Sequence, residues 1–302
     1  MAKVLISGGT GSIGLLMADF LHEQGHEVGL LSRSKNPNSK FETYLWDPNE
    51  NMLDPNALKS CEYIIHLAGA GIADKAWTTE RKKEIIESRV RSTDLLHSKV
   101  IELKPPLKAF VSASAVGYYG QLTSDKIFKE KNKAANDFLG KTCFLWEQAA
   151  ERFEDLGIRT VRLRIGIVLL KDGGALEKMA KPVQMGFGAI LGSGKQYIPW
   201  IHVKDLISLF SKAISDTRMS GAYNATAPSF VTNAEFTRTL GKVLGKPVWL
   251  PNAPGFVLKM ILGERASLVL KGSRVSSEKV VASGFEFEFE NLDSALEDLL
   301  GS

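Results

Sequence analysis

Apolar and polar positions fall into alternating strand-like and helix-like blocks from the first residues. Lys3–Ser7 is a short apolar run closed by glycines. Over 12–24 the apolar side chains Ile13, Met17, Phe20 and Leu21 recur at helical spacing, and Gly25 stops that helix. Glu27–Ser32 reads as a second strand and Thr43–Trp46 as a weaker third. Tyr63–Ala70 is nearly all apolar, the pattern of a parallel strand buried on both faces. A long amphipathic helix over 79–103 ends at Pro105-Pro106, and then come a strand at Lys108–Ala113, a helix over 137–156 and a strand at Arg159–Leu170. Strands separated by helices need right-handed crossovers, which put helices on both faces of a parallel sheet. The predicted fold class is therefore α/β, a doubly wound parallel sheet.

Beyond residue 170 the rhythm changes. Residues 171–200 are rich in Gly and Lys, with Gly186, Gly188, Gly192 and Gly194 in one loop. Tyr197–Val203 reads as an apolar strand, with Asp205 as the cap of the helix after it. Helices follow at 234–244 and 254–270, then a terminal strand and helix. This predicts a domain over 1–170 to which 197–227 returns, and a smaller, mostly helical lobe from 171–196 and 228–302 over the open end of the sheet.

Composition narrows the class. The chain has 302 residues, 44% hydrophobic and 24% charged, which suits a globular core and argues against disorder or a fibre. Its 38 Lys+Arg against 34 Asp+Glu leave +4, spread without long basic blocks, so no nucleic-acid partner is expected. No apolar run approaches the roughly 18 residues of a membrane span. The N-terminus enters a strand directly, without a signal-peptide pattern. Two cysteines, Cys61 and Cys143, cannot make a disulfide framework, and a cytoplasmic location is the expectation.

Gly8-Gly9-Thr10-Gly11-Ser12-Ile13-Gly14 joins the first strand to the first helix. In such a loop the glycines permit a tight turn, close backbone approach to a pyrophosphate and close helix–strand packing. The helix start then offers free N–H groups and a positive dipole end to phosphate. The strand–turn–helix context makes this a dinucleotide site rather than a merely flexible turn. The end of the second strand selects the dinucleotide. NAD sites have an acid about 20 positions on, whereas NADP sites have a nearby Arg for the 2′-phosphate. Here Ser32-Arg33-Ser34-Lys35 stands at that place without Asp or Glu, so the expected cofactor is NADP (NADPH), unless Arg33 is only a solvated surface charge.

With these residues in view, the chain resembles a known family. The loop GGTGSIG, the strand end His66-Leu67-Ala68-Gly69 and the run Ser112-Ala113-Ser114 leading into Gly117-Tyr118-Tyr119-Gly120 resemble the extended short-chain dehydrogenases/reductases. The stretches LRIGIVL, GSGKQYIPWIHVKDL, APSFVTNAEF and LPNAPGFVLKMILGERAS are similar to its atypical, epimerase-family branch, some members of which carry a cell-division-inhibitor label. The resemblance covers essentially the whole chain. It implies a Rossmann-like core, NADP binding and a small C-terminal helical domain. The cofactor-binding candidates are Gly8, Thr10, Gly11, Ser12, Ile13, Gly14, Ser32, Arg33, Leu67, Ala68 and Gly69, with Arg89 and, more weakly, Glu84 on the long helix. Arg89 falls where the extended enzymes have Asn; it either reaches a cofactor or substrate anion or is an exposed helix charge. A homodimer through the helices near 79–103 and 137–156 is compatible with the same analogy.

The superfamily's Tyr-x-x-x-Lys motif is absent. It places both side chains on one helix face, where the ammonium lowers the Tyr pKa for proton exchange. None of the six tyrosines has Lys four residues on. The matching positions are Leu139 and Cys143, part of one apolar seam with Trp146, Ala150 and Phe153, which makes Cys143 a core thiol. Lys141 is on another face. Ser114 matches the Ser that hydrogen-bonds a substrate oxygen. Tyr118 and Tyr119 follow it, placed at the rim where substrate enters, as acid or as wall. His202 reads as structural together with Asp205, and Trp77 and Trp200 as pocket walls or core. The five His show no metal spacing, so no metal site is expected. The loop 186–196 is expected to be mobile over the pocket, with Lys195 as an anion contact.

Two functions follow. One is an NADP-dependent oxidoreductase or epimerase acting on a small polar substrate, with Ser114 and Tyr118 or Tyr119 polarising the substrate oxygen. The other is a non-catalytic NADP-binding protein that reports redox state, motivated by the missing Tyr and Lys.

Overall fold

The structure is a computed structural model that describes residues 1–34 and 38–301. Its elements run β1 (Lys3–Ser7), α1 (Ser12–Glu23), β2 (Glu27–Ser32), β3 (Glu42–Asp47), β4 (Met52–Leu53), β5 (Cys61–His66), α2 (Thr79–Leu103), β6 (Ala109–Ala115), β7 (Ser124–Phe128) and α3 (Phe138–Glu151). Then follow β8 (Arg159–Ile165), β9 (Ile167–Leu169), α4 (Gly174–Gln184), β10 (Trp200–His202), α5 (Val203–Ser215), β11 (Gly221–Ala225) and α6 (Asn233–Val243). The chain closes with α7 (Gly255–Leu262), α8 (Ser267–Leu270), β12 (Ser273–Val275), α9 (Glu278–Ala282) and α10 (Leu292–Leu300).

The main sheet has eight strands in the order β11-β8-β6-β5-β1-β2-β3-β4, parallel except for the β3–β4 hairpin. Strand order reverses between β1 and β5, and such a switch point leaves a crevice at the carboxyl ends of the strands. Alternation explains why the central strand β1 carries apolar side chains on both faces. Val4 and Ile6 of β1 pack on one face with Met17 and Leu21 of α1 and Leu206 and Phe210 of α5, whereas Leu5 packs on the other with Leu95, Leu96 and Val100 of α2 and Phe153. A third cluster joins Leu176 and Val183 of α4, Phe236 and Leu240 of α6, and Leu292, Leu296 and Leu299 of α10 around Trp200.

Several boundaries differ from the sequence reading. The expected strand Arg159–Leu170 breaks at Gly166, where an added Cβ would lie 2.5 Å from the Pro199 carbonyl oxygen. Its second half, β9, leaves the main sheet and pairs with β10. The strand expected at Tyr197–Val203 shortens to β10, and the helix expected over 254–270 breaks at Gly263 into α7 and α8. The Gly- and Lys-rich stretch also contains a helix, α4, with Pro182 inside it. Asp205 does not cap α5. His202 does, its Nδ1 accepting from the Lys204 N–H at 3.1 Å, while the buried Asp205 carboxylate accepts from the Glu288 and Phe289 N–H groups. The loop 186–196 is anchored rather than loose. Gln196 Nε2 donates to the Leu191 and Val269 carbonyls, Gly192 N–H to Ala253, and Leu191 N–H to Asn233 Oδ1. Lys195 is exposed on it. Trp200 is core, fully buried, not a pocket wall.

Candidate functional site

The turn between β1 and α1 is shaped by glycine. Gly8 has φ +71°, and a Cβ on Gly14 would lie 2.4 Å from the Gly8 carbonyl oxygen and 2.6 Å from Gly9 Cα. Gly11 caps α1 in extended conformation with no side-chain hydrogen bond and no acid in the first turn, so the first N–H groups of the helix have no side-chain cap. Thr10, Gly11 and Ser12 are exposed and Ile13 is half-buried. Ser32 and Arg33 lie at the end of β2; Lys35 is outside the described residues. A cleft of about 860 Å³ at the β1–β5 switch point is lined by Gly8, Thr10, Ser32, Arg33, Ala68, Gly69 and Glu84 among others. Leu67 is held behind it, its N–H donating to the Ser7 carbonyl at 3.1 Å.

On α2, Glu84 accepts from Arg81 Nη1 at 2.6 Å, which lowers its pKa. Arg89 is not an exposed helix charge. It is partly buried, Nη1 donates to the Ile85 carbonyl at 2.9 Å and the Ala70 carbonyl at 3.1 Å, and its guanidinium lies over the Trp146 ring. Burial lowers its pKa. His66, at the end of β5, is sealed: Nδ1 meets Ser7 Oγ at 2.6 Å and Nε2 meets Thr93 Oγ1 at 3.0 Å. Burial, and then the Arg89 charge, hold it down at about 3.

The second half of the site lies past β6. Ser114 is 2% exposed and its Oγ donates to Glu147 Oε1 at 2.6 Å. Glu147 also accepts from Arg164 Nε and Nη2, both at 2.8 Å. Arg164 Nη1 donates to Tyr119 Oη at 2.9 Å and the Glu130 carbonyl at 3.0 Å. Tyr119 in turn donates to Asn224 Oδ1 at 2.6 Å. Burial works against the Arg164 charge, but the bonds to Glu147 outweigh it and the pKa is raised. Tyr119 is therefore not on the rim. It is 3% exposed, and burial pushes its hydroxyl up to about 12 even beside Arg164. Tyr118 is half-buried, with the Arg164 guanidinium 3.5 Å from its ring centroid.

Leu139 and Cys143 face the turn after β6: a Cβ on Gly117 would sit 3.4 Å from Leu139 Cβ and 3.6 Å from Cys143 Sγ. Burial, then the Glu147 charge, push the Cys143 thiol up to about 12. Leu139 packs with Trp77 and Ile85. The C-terminal segment closes this end, with Ser267 Oγ accepting from Gln121 Nε2 at 2.7 Å and Arg265 Nη1 donating to the Ala73 carbonyl at 3.0 Å.

Sequence reasoning missed Glu147, Asn224 and Glu130. Glu147 carried a signal, an acid one turn beyond Cys143 on an otherwise apolar face, answered by an Arg inside a strand buried on both sides. Among the described residues no group of three His, Cys, Asp or Glu could hold a metal, and no helix is long and apolar enough to cross a membrane.

Comparison with known proteins places the chain. The NAD-dependent epimerase/dehydratase family matches residues 4–225, and a domain of unknown function matches residues 253–299. The mouse epimerase family protein SDR39U1 is 35% identical over 302 residues, covering 99% of both chains. Epimerase family protein YfhF of Bacillus subtilis is 36% identical over 300 residues, covering 99% of this chain and 98% of the relative. Among solved structures, human epimerase family protein SDR39U1 (isoform 2), crystallised with NADPH, has a TM-score of 0.89 at 33% identity, with 99% of each chain covered.

Proposed function

The chain belongs to the NAD-dependent epimerase/dehydratase family, with an SDR39U1-like, atypical short-chain architecture, and from that premise we propose that it is an NADP(H)-dependent oxidoreductase or epimerase acting on a small polar substrate. The observation that carries the cofactor choice is the pairing of the open α1 start with Arg33, and no carboxylate, at the end of β2. The residues present fit the group: close-packed glycines, uncapped N–H groups and a cleft that both ends of the pattern line. NADP(H) supplies a hydride donor or acceptor when bound. Gly8 to Gly14 would hold its phosphates and Arg33 its 2′-phosphate. The sheet region 1–170 with 197–227 would carry the cofactor, and 171–196 with 228–302 the substrate side.

Ser114 is the group this chain offers to a substrate oxygen. Ser114 Oγ gives its proton to Glu147 and is 2% exposed, so a substrate hydroxyl that reached it would meet an acceptor rather than a donor. Tyr119, committed to Asn224 and Arg164, is a positioning residue, and Tyr118 a wall. Two buried, unpaired cysteines accord with a cytoplasmic setting.

Arg33→Asp tests the reading. NADPH binding should weaken by about 10–100-fold, the loss of one charge-assisted hydrogen bond or more, with NADH binding little changed. An unaltered NADPH preference refutes the cofactor assignment. Turnover of NADPH with sugar nucleotides, ketones and aldehydes, reduced by Ser114→Ala, tests the catalytic part. A second reading, a non-catalytic NADP-binding redox reporter, is favoured by the burial of this end of the site: Leu139 and Cys143 offer no proton relay, and Ser114 and Tyr119 are both sealed. Tight binding without turnover across that panel would select it.

A further inference from the structure

Helix α7 carries apolar side chains that the rest of the chain does not cover. Phe256, Val257, Leu258, Met260, Ile261 and Leu262 fill six of its eight positions, and none of them is buried. Phe256, Met260 and Ile261 are 73%, 78% and 67% exposed. A single exposed apolar residue is ordinary, whereas a contiguous set on one short helix marks a surface that meets something else.

The same helix forms one wall of a hollow of about 650 Å³, opposite the turn at Gly192-Ser193 and the segment from Gly263 to Lys271. That volume is in the range of small-molecule sites, about 300–1,000 Å³. Two glycines keep the walls thin around Leu270. A Cβ on Gly255 would lie 3.6 Å from Leu270 Cδ1, and one on Gly192, at φ +57°, 2.7 Å from Leu270 Cδ2. The charges on the lining are one-sided. Lys259 and Lys271 are exposed, and neither side chain has an ion pair or hydrogen bond among the described residues. Glu264, the one acid on the lining, is taken by Lys82 of α2. The hollow shares no lining residue with the cofactor cleft, and α8 stands between it and the other end of the site, where Leu268 packs with Trp77 and Leu139.

We propose that this hollow binds a single-chain anionic amphiphile, an aliphatic chain ending in a carboxylate or phosphate, with the chain against Phe256 and Leu270 and the anion taken by Lys259 and Lys271. Concave apolar walls suit a chain, and two unpaired ammonium groups on the same lining suit one anionic end group. A bilayer or a second copy of the chain would cover Met260 and Ile261 but leave the recess unfilled, so the concavity favours a single small molecule. The site goes beyond the NADP(H) reading and does not depend on it.

Displacement of a dansyl-labelled undecanoate from the full chain, read by fluorescence, tests the site. Decanoate and decyl phosphate should both displace the label, and decanol, which keeps the chain without the charge, should bind about tenfold more weakly or worse. Lys259→Gln combined with Lys271→Gln should remove that difference and leave decanol within about twofold. Phe256→Ser, and Gly255→Leu, which fills the hollow while improving helix propensity, should weaken all three ligands by about 10–100-fold. Thermal melts and NADPH calorimetry matching the parent show that each variant is folded. No displacement by decanoate or decyl phosphate at millimolar concentration, equal displacement by decanol in the parent, or displacement undiminished in Gly255→Leu overturns the proposal and leaves the cofactor reading intact. Co-sedimentation with phosphatidylglycerol vesicles, or a dimer abolished by Phe256→Ser, in either case without displacement of the label, overturns it in favour of a bilayer or a second copy. Absence of NADPH binding by the parent overturns only the cofactor reading.

Discussion

The buried pair Glu147–Arg164 allows a stability change to be worked from geometry. The two side chains are 5% and 4% exposed, so water does not replace what a substitution removes. Glu147→Ala deletes two bonds from Arg164 and one from Ser114. The guanidinium then keeps only Tyr119 Oη and the Glu130 carbonyl. Removing one member of such a pair costs about 3–5 kcal/mol, mostly because the other charge stays behind without compensation. Glu147→Gln retains acceptor capacity for part of the set and should cost less, about 2–3 kcal/mol. If the uncompensated charge dominates, Glu147→Leu with Arg164→Met should recover much of the loss, since apolar replacements of a buried pair are often near neutral. Urea unfolding followed by tryptophan fluorescence measures all three against the parent. A loss below about 1 kcal/mol in Glu147→Ala, or a double variant no more stable than Glu147→Ala alone, would show that the buried charges of this pair do not govern the stability of this region.

Three further outcomes are expected. Gly14→Ala gains about 1 kcal/mol of helix propensity but drives a Cβ to 2.4 Å from the Gly8 carbonyl oxygen, backbone against backbone; a net loss of about 1–3 kcal/mol and abolished NADPH binding should appear in thermal melts and calorimetry, and a stabilised, binding-competent variant would contradict the packing. His66 is neutral in the fold with its pKa lowered to about 3, so the unfolded chain takes up the proton first as pH falls below about 6.5. Its contribution is fully present above that value and is lost on acidification, by about 2 kcal/mol between pH 7.5 and pH 5, and His66→Asn should flatten this part of the stability–pH curve. Cys61 and Cys143 are buried with thiols pushed up to about 12, so a disulfide reagent at neutral pH should label neither until the protein unfolds; rapid labelling of the native protein would be incompatible with their placement.

Local pattern alone determined the parallel sheet and the cofactor turn. Largely apolar strands such as Lys3–Ser7 have one stable setting, between two helical layers, and a glycine run between strand and helix has few uses other than close approach to phosphate. Helix α2 is legible almost to the residue because Thr78 caps it and the Pro pair follows it. What the sequence could not decide was which side chains meet. Ser114, Glu147, Arg164, Tyr119 and Asn224 come from four separated segments, and only the β6–β8–β11 register brings them together. Other long-range contacts set the remaining differences: the close approach of Pro199 at Gly166 goes with the split strand, and His202, at the end of the separate β9–β10 pair, rather than Asp205, caps α5. Arg89 shows the same division most plainly: its identity is written in the chain, but its approach to Trp146 depends on two helices packing side by side, a long-range choice made by the shape of the core and not by any local preference.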